Sequence, residues 1–231
     1  MSEQHVLDNP IRASLLGPHA RFAVRHESVV RYPPDVCPFT ALPDEPGLDA
    51  WMDLAALVGP GATAAVSAPS VEPPPGWEVL ADIAAVQLVD TGVAAEPDPD
   101  AVVLGPADVP EMLALVERTR PGPFLPRTIE MGTYLGIRRD GELVAMAGER
   151  LHPPGWTEIS AVCTDERFRR HGLATRLVLA VAAGIRERGE TPLLHAAATN
   201  VHAIRLYESL GFALRRHTRF VGLRALVEAV A

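Results

Sequence analysis

Arg169-Arg170-His171-Gly172-Leu173-Ala174 has the residue types and spacing of an anion cradle. Gly172 carries no Cβ, so it admits positive φ and close approach of a phosphate, and small Ala174 leaves the first turn of a following helix uncrowded. Where a strand enters such a turn and a helix leaves it, successive backbone N–H groups and the positive helix end converge on one anion. A pyrophosphate is the natural ligand, and Arg169 and Arg170 add positive charge. The same hexapeptide also serves as an ordinary strand–helix connection, so a second signal has to decide.

That signal is Asn200-x-x-Ala203-x-x-x-Tyr207-x-x-x-Gly211-Phe212. Positions four apart on a helix share a face, so Ala203 and Tyr207 point together. The two segments, in this order, resemble the GCN5-related N-acetyltransferase (GNAT) superfamily, whose pattern is a strand, an R/Q-x-x-G-x-G/A turn, a helix and then N-x-x-A-x-x-x-Y-x-x-x-G-F. The resemblance covers about Val102 to Arg224. The wording Glu158-Ile159-Ser160-Ala161-Val162-Cys163-Thr164, behind a Pro-rich N-terminal half, is similar to the FR47-like branch.

The resemblance implies a mixed α/β acyl-CoA N-acyltransferase fold that uses acetyl-CoA as co-substrate. It implies that Val162, Cys163 and Thr164 present strand backbone to the pantetheine arm, that the turn from Arg169 through Thr175 holds the pyrophosphate, and that Asn200 contacts pantetheine. Ala174 stands where a second glycine is more frequent, and His171 fills a variable position; the family pattern permits both.

Transfer needs a neutral amine to attack a thioester, so a carboxylate is sought as general base. Glu158 is the first candidate, and strict alternation puts it on one face with Ser160, Val162 and Thr164; the alternative is a carboxylate exposed to solvent or paired with an Arg. Glu149 is a weaker rival. The resemblance supports Tyr207 as the acid that protonates the departing thiolate, against the alternative of a helix aromatic packed on the sheet. Direct attack in a ternary complex needs no enzyme nucleophile, so Cys163 is expected to pack. A rival of another class is a CoA-binding regulatory or interaction module that has lost transfer.

The elements that must position these residues follow from punctuation. Asp140-Gly141 between Thr133–Arg138 and Leu143–Arg150 is a hairpin signal. A strand over Thr157–Thr164 leads into the glycine turn, a helix runs from Gly172 to Arg188, and Gly189 stops it. Leu193–Ala198 reads as a strand, Val201–Leu210 as a helix, and Phe212–Leu214 and Thr218–Val221 as two closing strands. Upstream, Val102–Leu104 is a short strand before a helix that starts near Asp108-Val109-Pro110.

Proline clusters break up the first hundred residues, leaving short strands at Ala62–Ala68 and Trp77–Val89 and a helical turn or two in Gly47–Val58. Acidic, proline-punctuated Glu96-Pro97-Asp98-Pro99-Asp100 has linker composition. Residues 1–97 are therefore expected to form a smaller Pro-rich domain, either a degenerate copy of the later fold or a cap that shapes the acceptor pocket, and residues 98–231 the acetyltransferase domain.

Composition excludes several classes. A net charge of −8 argues against a general nucleic-acid binder. No apolar run approaches the roughly 20 residues that span a bilayer, and no secretory leader is evident, which points to the cytoplasm. Two distant cysteines and eight scattered histidines give no metal-ligand spacing, so no metal is expected. Gly59-Pro60-Gly61-Ala62-Thr63-Ala64 lacks the strand and helix of a dinucleotide fingerprint. The expected partners are acetyl-CoA and an amine-bearing small molecule, with a homodimer allowed.

Overall fold

The computed structural model describes residues 5–226. Its first part is a layer of helices α1 (Pro10–Leu16) and α2 (Leu48–Val58) around a small antiparallel sheet of β1 (Val24–His26), β2 (Val29–Arg31) and β3 (Thr40–Ala41). Pro10 sits at the start of α1 where its missing N–H costs nothing, and the Asn9 side chain caps that end by accepting from the Arg12 N–H.

The body is an eight-stranded sheet built from β4 (Thr63–Ala68), β5 (Trp77–Asp90), β6 (Ala101–Leu104), β7 (Tyr134–Arg139), β8 (Glu142–Glu149), β9 (Trp156–Thr164), β10 (Thr191–Ala197) and β11 (Phe212–Ala225). Their order across the sheet is β4-β11-β5-β10-β9-β8-β7-β6. β9 and β10 run parallel, and the other neighbours are antiparallel. Three helices complete the body: α3 (Val109–Thr119), α4 (Leu173–Glu187) and α5 (Val201–Ser209).

The central strands, with a register shift in β8 between Leu143 and Ala145, divide the core between two faces. On one, Val144, Ala147 and Ile159 pack under Leu177 and Val181 of α4 and Tyr207 of α5. On the other, Leu143 and Met146 pack under Met112 and Leu115 of α3. The N-terminal layer adds its own core of Ile11, Leu15, Tyr32, Cys37 and Phe39, joined by Met131 and Leu151 from the later half.

Two expectations are corrected. The division at 97/98 does not separate two folds: β4 and β5 lie before it, yet β5 sits inside the sheet between β10 and β11. The linker composition reported a local chain property, whereas pairing is non-local. The two closing strands are one strand, β11, which runs through a register shift between Leu214 and Arg216. A bulge absorbs one extra residue without ending a strand. The Asp140-Gly141 hairpin is present, with both residues at positive φ as the primed turn requires.

Candidate active site

β9 and β10 hydrogen-bond from Thr191↔Trp156 to Leu194↔Ile159. Beyond that pair they part: β10 continues along β5 through His195, Ala196 and Ala197, and β9 continues along β8. The β10-facing backbone edge of Ser160–Thr164 is thus left without a strand partner where the sheet splays.

A bulge marks the same place. Met146↔Cys163 and Gly148↔Ser160 set three steps of β9 against two of β8, and Ala161 absorbs the excess at φ 53°. A left-handed alanine is uncommon and strained. The bulge overturns the strict alternation expected from Glu158 to Thr164, because Ile159 packs in the α4-face core while Ala161, two residues on, falls on the α3 face.

β9 ends at Thr164, whose Oγ1 is buried without a hydrogen-bond partner among the described residues. Asp165 follows; the Arg167 side chain, against the opposing cost of burial, and the Arg167 N–H hold its carboxyl at about 2. The turn then passes through Arg170 at φ 65° and Gly172 at φ 74° into α4. Gly172 is the N-cap residue, with no side-chain cap, and the first-turn N–H groups of a helix have no intrahelical acceptors. A Cβ at Gly172 would meet nothing within 4 Å, so the approach to these donors is open. Arg169, Arg170 and His171 are exposed around it, Leu173 is buried in the core, and Ala174 and Thr175 are half-buried on the first turn. The His171 Nδ1 donates to Phe168 O at 3.2 Å.

Asn200 caps α5, its Oδ1 accepting from the Ala203 N–H at 3.2 Å. About two turns later Tyr207 is buried against Phe212, and Ala203 packs beside the same core. Burial pushes the Tyr207 phenol up to about 12. Burial likewise pushes the Cys163 thiol up to about 11, so Cys163 stays a neutral packing residue.

Glu158 needs correction as a free base. It is fully buried, and both carboxylate oxygens are taken: Arg150 donates through Nε at 2.9 Å and Nη2 at 2.6 Å, Leu151 through its N–H at 3.3 Å, and His195 through Nδ1 at 2.7 Å. Burial opposes its charge, but the Arg150 guanidinium and His195 hold the carboxyl well below the usual range. A carboxylate this weakly basic is a poor proton acceptor. Glu149, the rival, is also engaged, accepting from the Thr133 N–H at 3.1 Å and Arg188 Nη2 at 2.8 Å.

The network extends beyond what residue patterns suggested. Gln87 Nε2 donates to Leu7 O at 3.0 Å and lies 3.1 Å from His195 Nε2, while its Oε1 accepts from Arg215 at 2.8 Å. Gln87 Nε2 has only hydrogens to offer, so His195 Nε2 accepts and the ring proton sits on Nδ1, facing Glu158. Arg215 continues to Asp8 at 2.7 Å. Arg150, Gln87 and Arg215 tie the N-terminal layer to the splay, and a strand register, unreadable from composition, brings them together.

A FR47-like family model matches residues 134–221. A solved GNAT-family protein from Novosphingobium aromaticivorans is 42% identical, over 95% of this chain and 98% of its own, with a TM-score of 0.88. The chain belongs to the GNAT acetyltransferase family. The GCN5-related N-acetyltransferase from Kribbella flavida shares the fold at 20% identity, with a TM-score of 0.59 over 94% of this chain and 95% of its own. A GNAT acetyltransferase from Colwellia psychrerythraea does so at 14% identity, with a TM-score of 0.52 over 85% and 80%. No curated protein matches the chain in sequence. Among the described residues, no group of His, Cys, Asp and Glu is arranged to hold a metal, and no helix is long and apolar enough to cross a membrane.

Proposed function

We propose that this GNAT protein transfers an acetyl group from acetyl-CoA to a primary amine by direct attack in a ternary complex. The observation that carries the reading is the coincidence of an unpaired strand edge at Ser160–Thr164 with an open, uncapped helix end at Gly172. The residues fit the co-substrate on their own chemistry. Backbone of Val162, Cys163 and Thr164, with the orphan Thr164 hydroxyl, suits the amide groups of pantetheine. The N–H groups from Arg170 to Thr175 suit a pyrophosphate, with Arg169, Arg170 and His171 around it. Asn200 keeps its amide nitrogen for the pantetheine arm while its oxygen caps α5.

Acetyl-CoA supplies an activated thioester, and the protein's part is to orient it and manage protons. Tyr207 donates to the leaving sulfur. Burial raises its phenol, which therefore holds its proton until the sulfur departs. Glu158 acts indirectly, holding Arg150 and His195 in place under the N-terminal layer, which serves as the cap over the acceptor side. The surplus amine proton leaves through water.

Calorimetry with acetyl-CoA tests the binding half: wild type binds and Gly172→Glu, which puts bulk and negative charge into the cradle, does not. CoA release on adding an amine tests the transfer half. Binding without amine-dependent release would instead identify a non-catalytic CoA-binding module.

A further inference from the structure

Tyr134 is 1% exposed, and its hydroxyl has no hydrogen-bond partner among the described residues. Buried polar groups without partners are rare in folded proteins, because each costs the desolvation of that group. The position of this one is well defined. Tyr134 pairs with Gly148 across β7 and β8, and Gly148 pairs with Ser160 across β8 and β9. A Cβ on Gly148 would overlap Cγ, Cδ1 and Cε1 of Tyr134, so the ring lies flat over the glycine. It therefore reaches from β7 across β8 toward β9, and it belongs to one apolar cluster with Ala161, the bulge residue. Phe124 meets the ring edge-on at 5.2 Å and holds its tilt.

Gly148 thus leaves room for the phenol to cross the sheet, and the hydroxyl it carries over has no partner among the described residues. Arg150, just past β8, and Glu158 of β9 lie two pairs further along, where the Arg150 N–H donates to Glu158 O at 2.9 Å. Their side chains are bound to each other, so they leave the buried Tyr134 hydroxyl without a partner. Burial keeps the phenol protonated well beyond its ordinary range.

We propose that Tyr134 is the acceptor-side contact of the transfer reaction: its oxygen accepts an N–H of the incoming primary amine and turns the nitrogen lone pair toward the thioester carbonyl at the β9 bulge. The assignment rests on the acetyl-transfer reading and adds the residue that receives the acceptor. In the step it serves, the amine nitrogen forms a bond to the carbonyl carbon and the carbon–sulfur bond breaks. The sulfur keeps that electron pair and takes a proton from Tyr207, while the nitrogen gives its surplus proton to water, from which Tyr207 recovers its own. Tyr134 changes no protonation state; it fixes direction, and orientation of this kind is worth orders of magnitude in rate.

The test is Tyr134→Phe, which keeps the ring over Gly148 and deletes one oxygen. Wild type is first assayed with acetyl-CoA against glycine, lysine, spermidine, kanamycin and an alanyl tetrapeptide, and both enzymes are then compared on the best acceptor. The expected result is a fall in kcat/KM for the amine of roughly 10–100-fold. Acetyl-CoA affinity should stay within about twofold, and Tm should hold or rise by ~2–4 °C as the orphan hydroxyl is removed. Unchanged amine kinetics would overturn the proposal, as would a lowered Tm with acetyl-CoA and amine affected alike, the mark of a packing role. Absence of wild-type transfer to every amine would bring down the acetyl-transfer reading and this contact with it, whereas transfer unaffected by the substitution removes the contact alone.

Discussion

Arg150 on the chain just past β8 and Glu158 on β9 face each other in a two-pronged ion pair, at 2.9 and 2.6 Å, with Glu158 fully buried and Arg150 nearly so. The Arg150 guanidinium also stacks over Phe39 of the N-terminal layer, 4.9 Å from its ring centre. Taking both charges out of water costs several kcal/mol each, and mutual attraction with further hydrogen bonds offsets that cost. Removing one partner leaves the other charge buried alone. Glu158→Gln is therefore expected to destabilise the fold by about 3–5 kcal/mol, and thermal unfolding should register it directly.

The same pair sets an acid limit. The folded-state value of Glu158 lies well below its ordinary 4.5, so the unfolded chain binds the proton first as pH falls. The stabilisation is complete above about pH 5–6 and is lost progressively as pH drops below the unfolded value toward the folded one. Wild-type Tm should decline over that window, and the decline should be shallower in Glu158→Gln. Equal slopes would mean that other carboxylates carry the acid sensitivity.

Gly172 at φ 74° carries the turn into α4 with open space where a side chain would be. Gly172→Ala therefore meets backbone strain and no steric clash. The left-handed conformation costs an L-residue roughly 1–2 kcal/mol, which at this chain length lowers Tm by about 2–8 °C. Acetyl-CoA affinity should weaken several-fold as the turn relaxes away from its cradle geometry. Lost stability with unchanged affinity would separate the turn from the binding site.

Tyr207 keeps its proton to about pH 12, so kcat should show no loss attributable to this group across the neutral and mildly alkaline range. Tyr207→Phe deletes the donor to the leaving sulfur while keeping the packing against Phe212. Positioned acids contribute about 10²–10⁴-fold, and a loss at the lower end is expected because solvent can substitute. The acetyl-CoA dissociation constant from calorimetry should change less than about twofold, and unchanged kcat would remove Tyr207 as the acid.

What could be read from the chain was local. The glycine turn, the α4 stop at Gly189 and the Asp140-Gly141 hairpin each depend on a few adjacent residues whose backbone demands are written in their side chains. Glu158 shows where that ends. Its role depends on Arg150, just past the strand on one side, and His195 in the strand on the other, brought together by registers no short window encodes. The bulge at Ala161 carries no glycine to announce it, so alternation was carried straight through a point where the strand turns over. Tyr134 is the same lesson: its significance lies in the glycine beneath it, fourteen positions later in sequence and adjacent only in the sheet.

The boundary expected at 97/98 leads to the sharpest structural prediction. β5 pairs with β11 from Asp90↔Phe212 to Trp77↔Ala225 and with β10 from Ala85 to Val89, so it is an interior strand. A fragment beginning at residue 98 would expose the inner edges of both β10 and β11 and uncover Val86 and Leu88 from the core shared with α4. It would also delete Gln87, leaving the half-buried Arg215 and His195 without those contacts. Unpaired interior edges and orphaned polar groups both favour aggregation over folding. Residues 98–231 alone should therefore be insoluble or lack cooperative unfolding by circular dichroism, while a chain that starts at residue 5 folds. A soluble, cooperatively unfolding 98–231 fragment would mean that β10 and β11 can close on each other without β5, and the sheet would then divide where the linker composition placed it.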